Sequence, residues 1–146
     1  MTGDRRVAAL HEARRFLGTP YRHQGSRAGV GCDCLGLVRG VWRRLYGGEP
    51  EALPAYAADW AELSAGDPLS EAARRHFAAL PPSEARPGDL VLFRWRDGRP
   101  ARHCAILDEP DAAGPRILHA LEGAAVVSSP LAGAWARRIC GSFLFP

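Results

Sequence analysis

Near Pro87 the hydrophobic period of this 146-residue chain changes. Before it, Val7, Leu10, Ala13, Phe16 and Leu17 recur at spacings of three and four, which predicts an amphipathic helix over 4–17 with Asp4 as cap and Gly18 as stop. The stretch "GTPYRHQGSRAGVG" (18–31) is too rich in Gly for regular structure and reads as a loop. Leu37, Val38, Val41, Trp42 and Leu45 mark a second helix, running from the cysteine pair at 32 and 34 to "YGG" at 46–48. Residues 49–68 are Pro- and Ala-rich and poorly periodic, and Leu69 to Leu80 reads as a third short helix stopped by "PP".

Beyond Pro87 the runs "GDLVLFRW" (88–95), "RHCAILDE" (102–109), "RILHALEG" (116–123), "AAVVSS" (124–129) and "RRICGSFLF" (137–145) read as short strands. "DG" at 97–98 is a hairpin signal between the first two. Helices first and an antiparallel meander afterwards predict an α+β domain. A chain of this length fits a single domain, 1–146, that buries roughly 68–70% of its unfolded surface without staples.

Charge excludes more than it identifies. All 19 basic residues are Arg and net charge is only +3. The Arg pairs at 5–6, 14–15, 43–44, 74–75 and 137–138 are scattered, with no basic stripe interleaved with aromatics, so a nucleic-acid partner is not expected. No apolar run approaches the roughly 20 residues of a spanning helix, so membrane insertion is not expected either. The start, "MTGDRRVAALHEARRF", holds no continuous apolar block before a cleavage site, so the expectation is synthesis without a secretory signal.

Cysteines stand at 32, 34, 104 and 140. In a reducing compartment a Cys is catalytic, metal-binding or buried more often than disulfide-bonded. The thiolate is the nucleophile, and the unpaired N–H groups at a helix start favour it. Cys34 sits at such a start, whereas Cys32 lies two residues outside it. A nucleophilic Cys also needs a base and a group that orients the base. Of five histidines, His11 and His76 fall on helices among charged residues and read as solvated, and His23 lies in the loop before Cys34, within reach of it. His103 and His119 fall on neighbouring strands, roughly 5 Å apart between Cα atoms, and supply base and orienter together. A Cys at a helix start is more often a small buried hydrophobe, and a strand His more often a satisfied core residue. Zinc ligation by Cys32, Cys34, His103 and Cys104 is a rival reading, although C-x-C is tighter than the usual knuckle.

In order and interval, "TPYRHQG" (19–25), "DCLGLV" (33–38), "RPGDLVLFR" (86–94), "RHCAIL" (102–107) and "ILHA" (117–120) resemble the NlpC-type family of cell-wall peptidases, which are papain-like cysteine enzymes. The likeness runs from residue 5 to 145, and "DCLGLVRGVWR" is most similar to small members encoded in phage and gene-transfer-agent tail clusters. It implies a papain-like fold with N-terminal helices on an antiparallel sheet of about five or six strands. It implies Cys34 as nucleophile, His103 as general base and acid, and His119 as the residue that orients His103. Tyr21 matches a loop Tyr whose hydroxyl helps bind the oxyanion beside the Cys34 N–H, and Asp33 an acidic position that helps hold the free amine of a stem peptide. Gly36 matches a small residue needed for close helix packing. Leu35 departs from the pattern, since many members carry Ser there to recognise the same amine. Cys104 follows His103 on a strand, so its side chain is expected to face away from the site.

The resemblance thus implies a cysteine endopeptidase cutting peptidoglycan stem peptides between D-Glu and the diamino acid, with no metal or organic cofactor. With no secretory signal visible, synthesis in the cytoplasm is expected, and the resemblance further implies assembly into a virion or particle tail through a tail hub or baseplate protein and action at the target cell wall. The surface expected to meet that partner is either the Pro/Ala-rich 49–68 segment or a hydrophobic C-terminal "FLFP" exposed to solvent. The rival from another class is a non-catalytic adaptor or plug of the tail tip that keeps the peptidase fold. An acyltransferase or amidase acting on a non-wall substrate uses the same residues.

Overall fold

The computed structural model describes residues 2–51 and 66–146. Helix α1 (Thr2–Arg14) is followed by a two-stranded ribbon of β1 (Ser26–Arg27) and β2 (Gly31–Cys32), and then by α2 (Cys34–Tyr46). Helix α3 (Pro68–His76) leads into β3 (Ala78–Leu80) and a 3₁₀ turn at Pro82–Glu84. The rest is β4 (Leu90–Phe93), β5 (His103–Asp111), β6 (Gly114–Ala120), β7 (Val126–Pro130), the short helix α4 (Ala134–Arg137) and β8 (Ile139–Leu144). Six strands form one antiparallel sheet in the order β3-β8-β4-β5-β6-β7. The architecture is the predicted α+β one. No helix among the described residues is long and apolar enough to cross a membrane.

Alternation along the strands divides the core into two faces. Leu90, Leu92, Cys104, Ile106, Leu118 and Ala120 face α1 and α2, packing on Ala9, Ala13, Leu37 and Val41. Val91, Phe93, Ala105, Leu107 and Ile117 face the other way, under Trp135 and Ile139. The placement of α1 is fixed by two of its arginines. The Nε of Arg6 donates to the fully buried Asp89 at 2.9 Å, and Arg14 pairs with the buried Asp108. Burial works against the charge of Asp108, but the Ser128 hydroxyl, the Glu109 N–H and Arg14 together hold its carboxyl below the usual range.

Three sequence expectations change here. First, α1 ends at Arg14, and Val7, expected on its apolar face, is 70% exposed. Phe16 reaches the core from the turn that follows, whose N–H bonds to Ala13 at 3.0 Å. Second, the third helix stops at His76 instead of Leu80. Phe77 turns extended, and Ala78–Leu80 pairs with β8, because the Phe77 ring packs on Phe145 with centroids 4.8 Å apart. Sheet pairing and aromatic packing outweigh the helix preference of two alanines. Third, the C-terminal phenylalanines are not exposed: Phe143 and Phe145 are 4% and 1% accessible and belong to the core. A docking role for "FLFP" therefore fails. The proposed 49–68 surface lies mostly outside the described residues.

Candidate active site

The first turn of α2 is built from local signals. Asp33 is the N-cap, its Oδ1 accepting from the Gly36 N–H at 2.7 Å. Its Oδ2 accepts from the Gln24 N–H at 2.7 Å, tying the preceding loop to the helix. The C-terminus closes on Gly47 in the left-handed region, with its N–H bonded to the Arg43 carbonyl. Gly36 and Gly25 make the close approach that the loop requires: a Cβ on Gly36 would stand 1.7 Å from the Gly25 carbonyl oxygen. Tyr21 is pinned on both sides, its N–H bonded to the Ala124 carbonyl and its backbone bridged to Cys32.

Cys34 is the first residue of α2 and is partly exposed. It meets the sheet where β5 begins, so the side chains of two successive strand residues reach it. His103 approaches from one face and Cys104 from the other. The Cys104 Sγ donates to the Cys34 carbonyl at 3.2 Å. Hydrogen bonds from Cys104 and His103, with the charge of His103, outweigh burial and hold the Cys34 thiol well below its usual range. The helix start acts in the same direction. Cys104 is pushed well up by its bond to Cys34 and by burial, and burial above all raises Cys32, so both remain neutral thiols. Expectation and structure part at Cys104. It does point opposite to His103, but α2 packs on that face, so its thiol lies beneath Cys34.

His103 Nε2 lies 2.9 Å from His119 Nδ1, which leaves His103 Nδ1 for Cys34. The pairing Ile106↔Leu118 carries on so that His119 stands diagonal to His103 on the same face. His119 is fully buried, and burial followed by the charge of His103 lowers its pKa to about 3, so it stays neutral. Its Nε2 lies 2.9 Å from Ser129 Oγ. Two tryptophans cover the pair. Trp95 stacks on His103 at 5.9 Å with the Arg138 guanidinium over its ring, and Trp135 lies 5.1 Å from His103 and 5.0 Å from His119.

A cleft of about 370 Å³ opens over Cys34, with Tyr21, Asp33, Leu35, Arg102, His103 and Glu122 among its walls, which is room for a short peptide segment. Burial, then the charges of Asp33, Cys34 and Glu122, raise the Tyr21 phenol to about 12, so it keeps its proton and can donate at neutral pH. Cys34, His103, His119, Tyr21 and Asp33 are thus brought together. His23 is at the rim, 3.9 Å from Asp33, and His11 is exposed and remote. His76 is less solvated than expected, bonded to Glu51 at 2.8 Å and set edge-on to Trp42. Among the described residues no group of three or more His, Cys, Asp or Glu is placed to hold a metal ion, which removes the zinc arrangement. Sequence reasoning missed Cys104, Ser129, Trp95 and Trp135. Cys104, Ser129 and Trp95 stood in predicted strand runs near the histidines, whereas Trp135, on the short α4, carried no such signal.

The NlpC/P60 family pattern matches residues 18–143. Solved structures share the fold. An NlpC/P60 protein from Bacillus cereus is 20% identical with a TM-score of 0.65, over 96% of this chain and 40% of that one. A lipoprotein-like NLP/P60 protein from Staphylococcus aureus is 22% identical with a TM-score of 0.61, over 97% and 41%. The NlpC/p60 domain of the peptidoglycan hydrolase SagA is 23% identical with a TM-score of 0.58, over 94% and 97%. This chain therefore spans about two fifths of two of these relatives and nearly all of the third. No curated protein matches it significantly. With a pattern covering most of its length and the α+β fold of these structures, the chain belongs to the NlpC/P60 family.

Proposed function

We propose that this protein is a cysteine endopeptidase that hydrolyses an amide bond of peptidoglycan stem peptides, between D-Glu and the diamino acid. The observation that carries it is Cys34 at the start of α2, facing an imidazole that is itself hydrogen-bonded to a buried neutral His119. The Cys34 thiolate attacks the carbonyl carbon while the oxyanion forms beside the Cys34 N–H and the Tyr21 hydroxyl. His103 gives its Nδ1 proton to the departing amine, leaving an acyl thioester. Water then loses a proton to His103 and adds to the thioester, and the thiolate departs. The buried Asp33 lies in the cleft wall, where its charge favours the substrate's free amine, while Leu35 offers that amine no hydrogen bond.

Synthesis in the cytoplasm, carriage by a phage-like tail through its hub or baseplate protein, and action at the target cell wall complete the reading. They rest on the wording of "DCLGLVRGVWR". The test is mass spectrometry of fragments released from purified sacculi and from defined stem peptides. The wild type is expected to expose a new amine on the diamino acid, and Cys34→Ala to release nothing. Undiminished wall degradation by Cys34→Ala would refute the proposal, and tail incorporation without any cleavage by the wild type would favour the adaptor.

A further inference from the structure

Three neighbouring strands carry a diagonal row of polar side chains on the sheet face away from α2: His103 on β5, His119 on β6 and Ser129 on β7. The β6–β7 register pairs Ile117 with Ser129 and His119 with Val127, which sets Ser129 diagonal to His119 as His119 is diagonal to His103. Both steps of the row close at 2.9 Å. We propose that Ser129 is a positioning residue for the Cys34 chemistry, accepting the Nε2–H of His119 and so holding His119 in the tautomer that accepts from His103. This rests on the peptidase reading.

Proton direction along the row decides which tautomer works. A neutral imidazole has one donor and one acceptor nitrogen. To take a proton at Nδ1, the side left for Cys34, neutral His103 must carry its own proton on Nε2. That N–H needs an acceptor, and the atom 2.9 Å away is His119 Nδ1. His119 must then carry its proton on Nε2, which faces Ser129 Oγ. In the opposite tautomer His119 Nδ1–H points at His103 Nε2, His103 holds its proton towards Cys34, and the base is lost.

A carboxylate or an amide oxygen in place of His119 would accept unconditionally. A histidine accepts only if its far nitrogen has somewhere to donate. Double protonation offers no escape, because burial and the His103 charge keep His119 neutral down to about pH 3. When His103 becomes imidazolium, the hydrogen bonds of the row all run one way and reinforce one another.

The test uses the whole protein with Ser129→Ala and Ser129→Thr. Two-bond ¹⁵N–¹H spectra of the histidines read the tautomer, and iodoacetamide alkylation of Cys34 between about pH 4 and 9 reads the thiolate–imidazolium pair, with Cys140 as internal reference. The wild type is expected to hold His119 as the Nε2–H form. Ser129→Ala is expected to mix the tautomers, slow Cys34 alkylation at mildly acidic pH about tenfold, narrow its pH profile, and lower kcat with KM little changed. Ser129→Thr, which keeps the hydroxyl, is expected to restore both readouts. A Ser129→Ala protein with the wild-type tautomer and pH profile overturns the role, even if it melts earlier. A wild type whose Cys34 alkylates no faster than Cys140 overturns the peptidase reading itself, and the Ser129 role with it.

Discussion

Replacing Gly36 by Ala tests whether the loop–helix contact sets the reactivity of Cys34. The added Cβ would stand 1.7 Å from the Gly25 carbonyl oxygen and 2.9 Å from Asp33 Oδ1. Carbon–oxygen contacts rarely close below about 3.3 Å, so helix and loop must separate by roughly 1.6 Å. The obstacle cannot rotate away, because it is backbone. Gly25 donates to the Arg22 carbonyl at 2.9 Å and accepts from the Asp33 N–H at 3.1 Å, and any Cβ of its own would meet the Gly31 carbonyl oxygen at 2.6 Å. Overpacking against a fixed wall costs about 3 kcal/mol, and in a domain of this size that lowers Tm by about 6–12 °C. Cys34 is two residues away in the same turn, and a displacement on the order of 1 Å at a reacting atom costs about 100-fold in rate. Scanning calorimetry and the alkylation rate of Cys34 at neutral pH read the two effects together. A Gly36→Ala protein that melts with the wild type and keeps its Cys34 reactivity would refute the reasoning.

Two further outcomes follow from the electrostatics of the site. Cys104→Ala removes the largest influence favouring the Cys34 thiolate, so the midpoint of Cys34 alkylation against pH is expected to move up, and an unmoved midpoint would mean that His103 and the helix start suffice. His119 has its pKa lowered from 6.5 to about 3, so between these values the unfolded chain binds the extra proton and the folded one does not. Its stabilising contribution is therefore complete above about pH 6.5 and is lost as the pH falls towards 3, at up to about 1.4 kcal/mol per unit. Urea unfolding across that window is expected to show a shallower acid loss in His119→Asn than in the wild type, and equal slopes would contradict a buried neutral His119.

Local signals were legible from the residues alone. The cysteine pair before an apolar 3.6-residue period and "YGG" after it bounded α2 correctly, because cap and stop, here Asp33 and Gly47, act within one turn of the helix they close. The strand-like runs after Pro87 reappear as β4 to β8, since alternation and Gly or Asp turns are local too. Cys34, His103 and His119 could be singled out because a helix start and two adjacent strands are enough to bring such groups near one another. Leu69–Leu80 and "FLFP" were misread for one reason: each is decided by a distant partner. Ala78–Leu80 becomes strand because β8 is there to pair with, and Phe143 and Phe145 are buried because Phe77 meets them.

The amino-acid order alone thus settles where the period changes, where locally capped elements such as α2 start and stop, and which residue types are available for chemistry. Tertiary structure decides which face of the sheet α2 covers. Strand alternation places Cys104 and His103 on opposite sides in any fold, but the packing of α2 puts one thiol beneath Cys34 and leaves two histidines and Ser129 in a row on the other face. Side-chain parity is a property of the backbone, whereas the identity of what packs on each face depends on contacts between segments far apart in sequence.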